Sequence, residues 1–192
     1  IAIIGIGLLN YVGVRAAAGV MNLVTVAKFS AIALLGVLAF AAGSGTAEHF
    51  TPVWSGQVSL SLLATALVQI MWTYDGWADV SFMSGEVRDP GRTLPRALIA
   101  GTLTIVAIYL LINAAYVYLL PLTVMAHSRL VAATAAEQIP LLGKGGAALV
   151  SALVMVSCFG SLNGSMMAGP RIFFAMADRG LFFQGVARVS PR

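Results

Sequence analysis

The sequence QIMWTYDGWADVSF, residues 69–82, places two carboxylates and a glycine inside a long apolar run. Asp75 and Asp79 are four residues apart, so a continuous helix would present both on one face. Gly76 lies between them and weakens a helix by about 1 kcal/mol relative to alanine. The pattern predicts a helix that breaks near residues 74–76. The alternative is a straight helix whose glycine packs against a neighbour.

The whole chain has the composition of a membrane protein. Of its 192 residues, 59% are hydrophobic and 9% are charged, and the mean hydropathy is +0.93. A soluble domain has about 45–50% apolar and about 25% charged residues, so a soluble enzyme or a nucleic-acid-binding protein is excluded. A single cysteine, Cys158, excludes an internal disulfide, and two separated histidines predict no metal site.

Four apolar runs are long enough to cross a bilayer, which takes about 20 residues. They cover residues 20–42, 59–83, 97–120 and 147–169. Residues 1–9 are apolar but too few to cross, and they carry neither an initiating Met nor a basic segment typical of a signal peptide. We therefore expect them to be the end of an earlier helix, and the chain to be an internal piece of a larger membrane protein.

The basic residues lie mostly on one side of these runs. Nine of the eleven lysines and arginines fall in the loops 10–19 and 84–96, in the tail 170–192, or at Lys28. Because cytoplasmic segments carry an excess of Lys and Arg, we predict that these segments are cytoplasmic. The intervening loops, which are predicted to be external, are 43–58 and 121–146.

The loops contain further structural signals. Asp89-Pro90-Gly91 predicts a turn, and Pro95 suits the first turn of the next helix. Residues 128–138 contain good helix formers and predict a short helix over the external mouth. The tail from residue 170 mixes phenylalanines with charges, which is typical of an amphipathic segment at the membrane interface. A simple extension of the preceding helix is the alternative.

Ionisable residues within a span are costly and usually functional. Lys28 is eight residues into its predicted span, which places its backbone about 12 Å deep at about 1.5 Å per residue. Either its stem snorkels to the cytoplasmic interface, or its ammonium stays buried as a fixed cation or proton carrier. Ser157, Ser161 and Asn163 in the last span could coordinate an ion or this ammonium, or could bond to their own backbone.

Three stretches in combination resemble a known transporter family. They are NYVGVR with NLVTVAKF (10–15 and 22–29), WTYDGWADVSFMSGEVRDPGRTLPRAL (72–98) and SCFGSLNGSMMAGPRIFFAMADRGLF (157–182). They resemble helix five, helix six with its following loop, and helix eight of amino acid permeases. These permeases belong to the amino acid–polyamine–organocation superfamily, and the resemblance is strongest to the L-type amino acid transporter branch.

The resemblance implies an all-α membrane protein with the LeuT-type fold of two inverted five-helix repeats. The chain would hold the end of helix four and helices five to eight, in the cytoplasmic membrane. It implies transport of amino acids by alternating access, through exchange or proton-coupled uptake. The implied partners are an amino acid substrate and the lipid bilayer, with no nucleic acid and no cofactor. An accessory subunit or a second copy stays open.

The resemblance also assigns a substrate site. In the family, the unwound middle of helix six binds the substrate's α-amino group through backbone carbonyls, and Trp72 falls where an aromatic gate is common. Asp75 stands where many eukaryotic members have glycine, and it could contact a cationic substrate, respond to protons or orient the backbone. The positions that match this substrate site are Trp72, Thr73, Tyr74, Asp75 and Gly76.

Coupling and gating residues are implied in the same way. Lys28 matches a lysine of helix five that takes the place of a sodium ion in some members, with Ser157 or Ser161 as its expected neighbour. Glu86 and Arg92 match the loop after helix six, and we expect them to help close the cytoplasmic side.

Two other classes of protein share single features with this sequence. The Tyr74-Asp75 pair is compatible with an intramembrane aspartyl protease, which shares a proton between two aspartates. Such an enzyme needs its second aspartate on another helix, and the other spans contain no acidic residue. A channel subunit would need a re-entrant filter or a charged pore ring, and neither pattern is evident.

Overall fold

The computed structural model describes residues 2–51 and 59–188, and these residues form an all-α fold. Among the described residues, three helices are long and apolar enough to cross a membrane: α2 (Val14–Ala42), α4 (Pro90–Leu119) and α7 (Gly145–Asp178). Helix α3 (Leu60–Thr73) has only 14 residues. The predicted helical membrane fold is thus confirmed. Parts of two predicted segments, 52–58 and 189–192, lie outside the described residues, as does residue 1.

The α-helices are α1 (Ala2–Val12), α2 (Val14–Ala42), α3 (Leu60–Thr73), α4 (Pro90–Leu119), α5 (Leu122–His127), α6 (Val131–Glu137) and α7 (Gly145–Asp178). The 3₁₀ helices are Ala47–Phe50, Trp77–Glu86 and Gln184–Ala187.

Two helices begin earlier than predicted. Helix α2 begins at Val14 rather than at residue 20, because Gly13 has a φ of 144° that separates it from α1 and three alanines follow at 16–18. Helix α4 begins at Pro90 rather than at residue 97, since proline suits a first helical position. Pro95, predicted in the first turn, therefore lies inside the helix.

The external and C-terminal segments also differ from the prediction. The helix predicted over 128–138 is observed as α6, which covers only Val131–Glu137. A further short helix, α5, precedes it and ends where the Ser128 N–H donates to the Met125 carbonyl. Helix α7 continues through Pro170 to Asp178. The first part of the tail is therefore the helix extension that was the alternative to an interface-lying segment.

The chain divides into two compact units. The second unit comprises Val24–Thr73 and Gly101–Ser157. Its core contains small side chains of three helices, among them Ala39, Ala115 and Ala135, which allow helices to approach closely. The loop after α2 is tied to the end of α6, because the Ser44 amide and hydroxyl both donate to the Gln138 carbonyl, at 3.2 and 2.9 Å.

The first unit comprises Ile1–Leu23, Tyr74–Ala100 and Cys158–Arg192. Its buried polar side chain is Asn163, which is 2% exposed. The Asn163 amide nitrogen donates to the Ala17 carbonyl at 3.0 Å, and its oxygen accepts from the Asn10 amide at 3.0 Å. These bonds join α7 to α1 and to the start of α2.

Candidate functional site

The apolar span that contains YDGW is discontinuous. Helix α3 ends at Thr73, residues 74–76 form a turn, and a 3₁₀ helix begins at Trp77. Gly76 has a φ of 94°, in the left-handed region that glycine tolerates best. The Asp79 N–H donates to the Gly76 carbonyl at 3.2 Å, which starts the 3₁₀ helix.

A helix end inside an apolar span presents backbone polar groups. The last four carbonyls of an α-helix have no N–H partner in the same helix, and in α3 these belong to residues 70–73. The Tyr109 hydroxyl donates to the Thr73 carbonyl at 3.3 Å. Non-helical backbone at membrane depth is tolerated where it is buried in protein or lines a water-filled cavity, so the turn is a candidate ligand-binding element.

The predicted substrate residues are the last two residues of α3 and the three residues of the turn. Trp72 and Thr73 end α3 in the second unit, whereas Tyr74, Asp75 and Gly76 belong to the first. Trp72 is 79% exposed in the chain, and Asp75 is also exposed. Every residue of α3 is exposed in the same way, so the exposure of Trp72 does not distinguish it from its neighbours.

Lys28 and Ser157 line one cavity within the second unit. The cavity has a volume of about 250 Å³ and is lined mostly by apolar residues of α2, α4, α6 and α7, with Tyr109 and Tyr116 among them. The Lys28 ammonium lies 5.5 Å from the centroid of the Phe29 ring. Ser161, the other expected neighbour of Lys28, is exposed in the first unit.

Lys28 lies at the middle of α2, as the fifteenth of its 29 residues. That places it about 21 Å from the beginning of the helix at about 1.5 Å per residue. Helix α2 begins before the apolar run at residue 20, so this length is a distance along the helix and not a depth in the membrane. Snorkelling to the interface and an ammonium held at the cavity both stay predictions.

Asn163 links three helices of the first unit. Its side chain bonds to the Asn10 amide and the Ala17 carbonyl, and its nitrogen also contacts the Met167 sulfur of its own helix at 4.0 Å. Nearby, a Cβ added to Gly164 would contact the Met21 side chain at 3.4 Å, and Gly160 and Ala168 are buried. This face of α7 is a packing surface.

Replacement of Asn163 by leucine is expected to destabilise the protein by about 1–3 kcal/mol, because it removes both the donor to the Ala17 carbonyl and the acceptor of the Asn10 amide. The measurement is the melting temperature of the detergent-solubilised protein. Asn113→Leu is the control, since Asn113 is exposed and bonds to its own helix at Tyr109. Equal melting temperatures for the two variants would contradict a clamping role for Asn163.

The residues predicted to close the cytoplasmic side have different partners. Arg92 lies 3.9 Å from Asp89, and both side chains are well exposed. Glu86 instead forms a two-bond pair with Arg171, in which Nε donates to Oε1 at 2.7 Å and Nη2 donates to Oε2 at 2.8 Å. Arg171 was missed because 85 positions separate it from Glu86 and no local spacing links them.

The three helices long enough to cross a membrane and the discontinuous apolar span define a class of protein: a multi-pass helical membrane protein. The sequence profile of the amino acid permease family matches residues 1–192. The chain belongs to this family.

Individual relatives agree with the family. The chain is 33% identical over 180 residues to the serine/threonine exchanger SteT of Bacillus subtilis, covering 93% of this chain and 40% of the relative. It is 28% identical over 195 residues to the human b(0,+)-type amino acid transporter 1, covering 100% of this chain and 39% of the relative. It is 31% identical over 176 residues to the human cystine/glutamate transporter, covering 90% of this chain and 34% of the relative. The chain thus spans about two fifths or less of the length of these relatives.

Proposed function

We propose that this chain forms part of a secondary transporter that moves amino acids across the cytoplasmic membrane by alternating access. The observation that carries the proposal is the helix end at Thr73 followed by Gly76 at φ 94°, within an apolar span. Helix ends at membrane depth bind charged substrate groups in many transporters. The carbonyl end of α3 has the polarity that attracts an ammonium group.

In this proposal, residues 72–76 bind the substrate. The carbonyl groups near the end of α3 receive the substrate's α-amino group, and Trp72 covers it. Asp75 is an exposed carboxylate in the same turn, so it is placed to act on the substrate's side chain or on the conformation of the turn. No covalent chemistry is required, because transport needs only different affinities in two orientations.

Lys28 and Ser157 form the proposed coupling site. A fixed ammonium at the cavity would occupy the position of a coupling cation and remove the need for a bound metal ion. Exchange of one amino acid for another is the favoured mode, because the relatives include a serine/threonine exchanger, and proton-coupled uptake is the second. Loops 10–19 and 84–96 and the tail from residue 170 face the cytoplasm in this arrangement, as their basic residues favour.

The proposed function is tested by uptake into proteoliposomes. Vesicles that contain the purified full-length protein are loaded with unlabelled serine, and uptake of radiolabelled serine is followed, with empty vesicles and unloaded vesicles as controls. Exchange predicts uptake that depends on internal amino acid, whereas proton coupling predicts uptake driven by an inward proton gradient. Competition by the common amino acids then identifies the substrates. Absence of uptake under both regimes with every amino acid would refute the proposal.

Asp75→Gly is expected to change the ranking of substrates and to leave transport itself in place. The reason is that the substitution removes an exposed carboxylate at the turn, while glycine is compatible with the break. The measurement is competition of uptake by cationic, neutral and anionic amino acids, compared between Asp75→Gly and the unmodified protein. Asp89→Gly, at an exposed loop position with φ 48°, serves as the control. An unaltered ranking would remove Asp75 from substrate selection.

A further inference from the structure

The guanidinium of Arg171 joins two elements of the first unit. Its Nε and Nη2 hold the two oxygens of Glu86, the last residue of the 3₁₀ helix that follows the break. Its remaining nitrogen, Nη1, donates to the Met167 carbonyl on α7. The side chain of Arg171 is only 21% exposed, against 45% for Glu86.

The contact with the Met167 carbonyl lies within α7, because Met167 and Arg171 are four residues apart in the same helix. Pro170 also lies inside α7, but the carbonyl that its missing N–H leaves without a donor is that of Met166, four residues before the proline. The Met167 contact is therefore local, and the link between α7 and the 3₁₀ helix Trp77–Glu86 is the pair of bonds to Glu86.

The arrangement differs from an ordinary surface ion pair. The Asp89–Arg92 pair is a single contact at 3.9 Å between side chains that are 65% and 80% exposed. Such exposed pairs contribute little to the stability of the folded protein. The two parallel bonds between Arg171 and Glu86 fix the orientation of both groups. Lysine could not reproduce them, because an ammonium is a point charge without the planar fork.

We infer that Arg171 is a positioning residue for transport, which fixes the end of the 3₁₀ helix Trp77–Glu86 against α7 and thereby holds the segment that follows the substrate turn. The inference rests on the proposed transport function. Arg171 touches no substrate; it acts through Glu86. Its loss should release the segment on the cytoplasmic side and leave the external side unchanged.

The test follows the accessibility of the segment directly. In a Cys158→Ser background, a single cysteine is introduced at Ser84, in the same 3₁₀ helix. Its rate of reaction with a membrane-impermeant maleimide is measured in inside-out vesicles. Arg171→Gln is expected to raise this rate roughly three- to tenfold, which corresponds to a coupling of about 0.7–1.4 kcal/mol. Arg171→Lys should give a smaller rise, and Arg179→Gln, at an exposed arginine nearby, should give none.

Glu86→Gln provides the same test from the more exposed partner, in case Arg171→Gln does not fold. The double variant should react no faster than the faster single variant, because both remove one interaction. In exchange assays, the KM for amino acid on the cytoplasmic side should rise about as much as the reaction rate, with the external KM unchanged.

Unchanged maleimide reactivity in both Arg171→Gln and Glu86→Gln would overturn the inference, as would full rescue by Arg171→Lys. Altered reactivity in a protein that transports no amino acid would instead refute the proposed function and retain the structural coupling of Arg171 to the segment.

Discussion

Lys28→Ala is expected to abolish amino acid uptake, or to uncouple it, while expression and folding stay intact. Lys28 lies at the middle of α2 and lines a cavity of about 250 Å³ together with Ser157. A single charge in such a place is retained for function more often than for stability. If the ammonium takes part in coupling, the uptake rate should fall by about tenfold or more, which corresponds to about 1.4 kcal/mol or more.

The measurement is initial uptake in proteoliposomes across a range of pH, normalised to the amount of reconstituted protein. Lys28→Met retains most of the apolar stem but lacks the charge, so its uptake should be as low as that of Lys28→Ala. This comparison separates the effect of the charge from that of packing. Lys144→Ala is the matched control, because Lys144 is exposed outside the cavity. If uptake and its pH dependence were unchanged in Lys28→Ala, Lys28 would be a snorkelling residue and the coupling site would lie elsewhere.

The features that could be predicted from the sequence are those governed by nearby residues. The helical membrane fold followed from apolar runs, since only a helix of about 20 residues satisfies its backbone groups while crossing lipid. Interruption of the third helix near residue 74 could be anticipated from Asp75 and Gly76, which oppose a continuous helix in an apolar setting. The family followed from motifs at three places in the chain, and the match to residues 1–192 confirms it.

Helix boundaries and distant pairs could not be predicted in the same way. The apolar pattern placed the start of α2 at residue 20, since Arg15 reads as a loop residue, but the backbone turn at Gly13 lets the helix begin at Val14. The longer helix has Lys28 at its middle, as the fifteenth of 29 residues. The pairing of Glu86 with Arg171 depends on the packing of α7 against a segment 85 positions away, which no periodicity encodes.

Gly76→Val is the second substitution expected to have a large effect, because it acts on the conformation of the break. At φ 94° a β-branched residue is strained, and such strain costs about 1–3 kcal/mol. The turn can relieve it only by changing its backbone, which would displace the carbonyl groups proposed to bind the substrate. Uptake should therefore fall by about tenfold to a hundredfold.

The chain contains controls that separate conformation from steric contact. A Cβ at Gly76 and a Cβ at Gly85 would both meet nothing within 4 Å, but only Gly76 has a positive φ. Gly85→Val, in the same 3₁₀ helix, should therefore retain most of the uptake. The uptake of Gly76→Asn should lie between that of Gly76→Val and that of Gly85→Val, because asparagine tolerates the left-handed region better than valine does.

Initial rates of exchange, normalised to the amount of folded protein recovered by size-exclusion chromatography, provide the measurement. Equal rates for Gly76→Val and Gly85→Val would mean that the left-handed turn is not needed for transport, and the substrate site would have to be sought away from residues 72–76. A loss at Gly76→Val that Gly76→Asn partly restores would tie transport to the backbone conformation of this one residue. The order of the three variants thus tests the break itself, independently of which amino acid is carried.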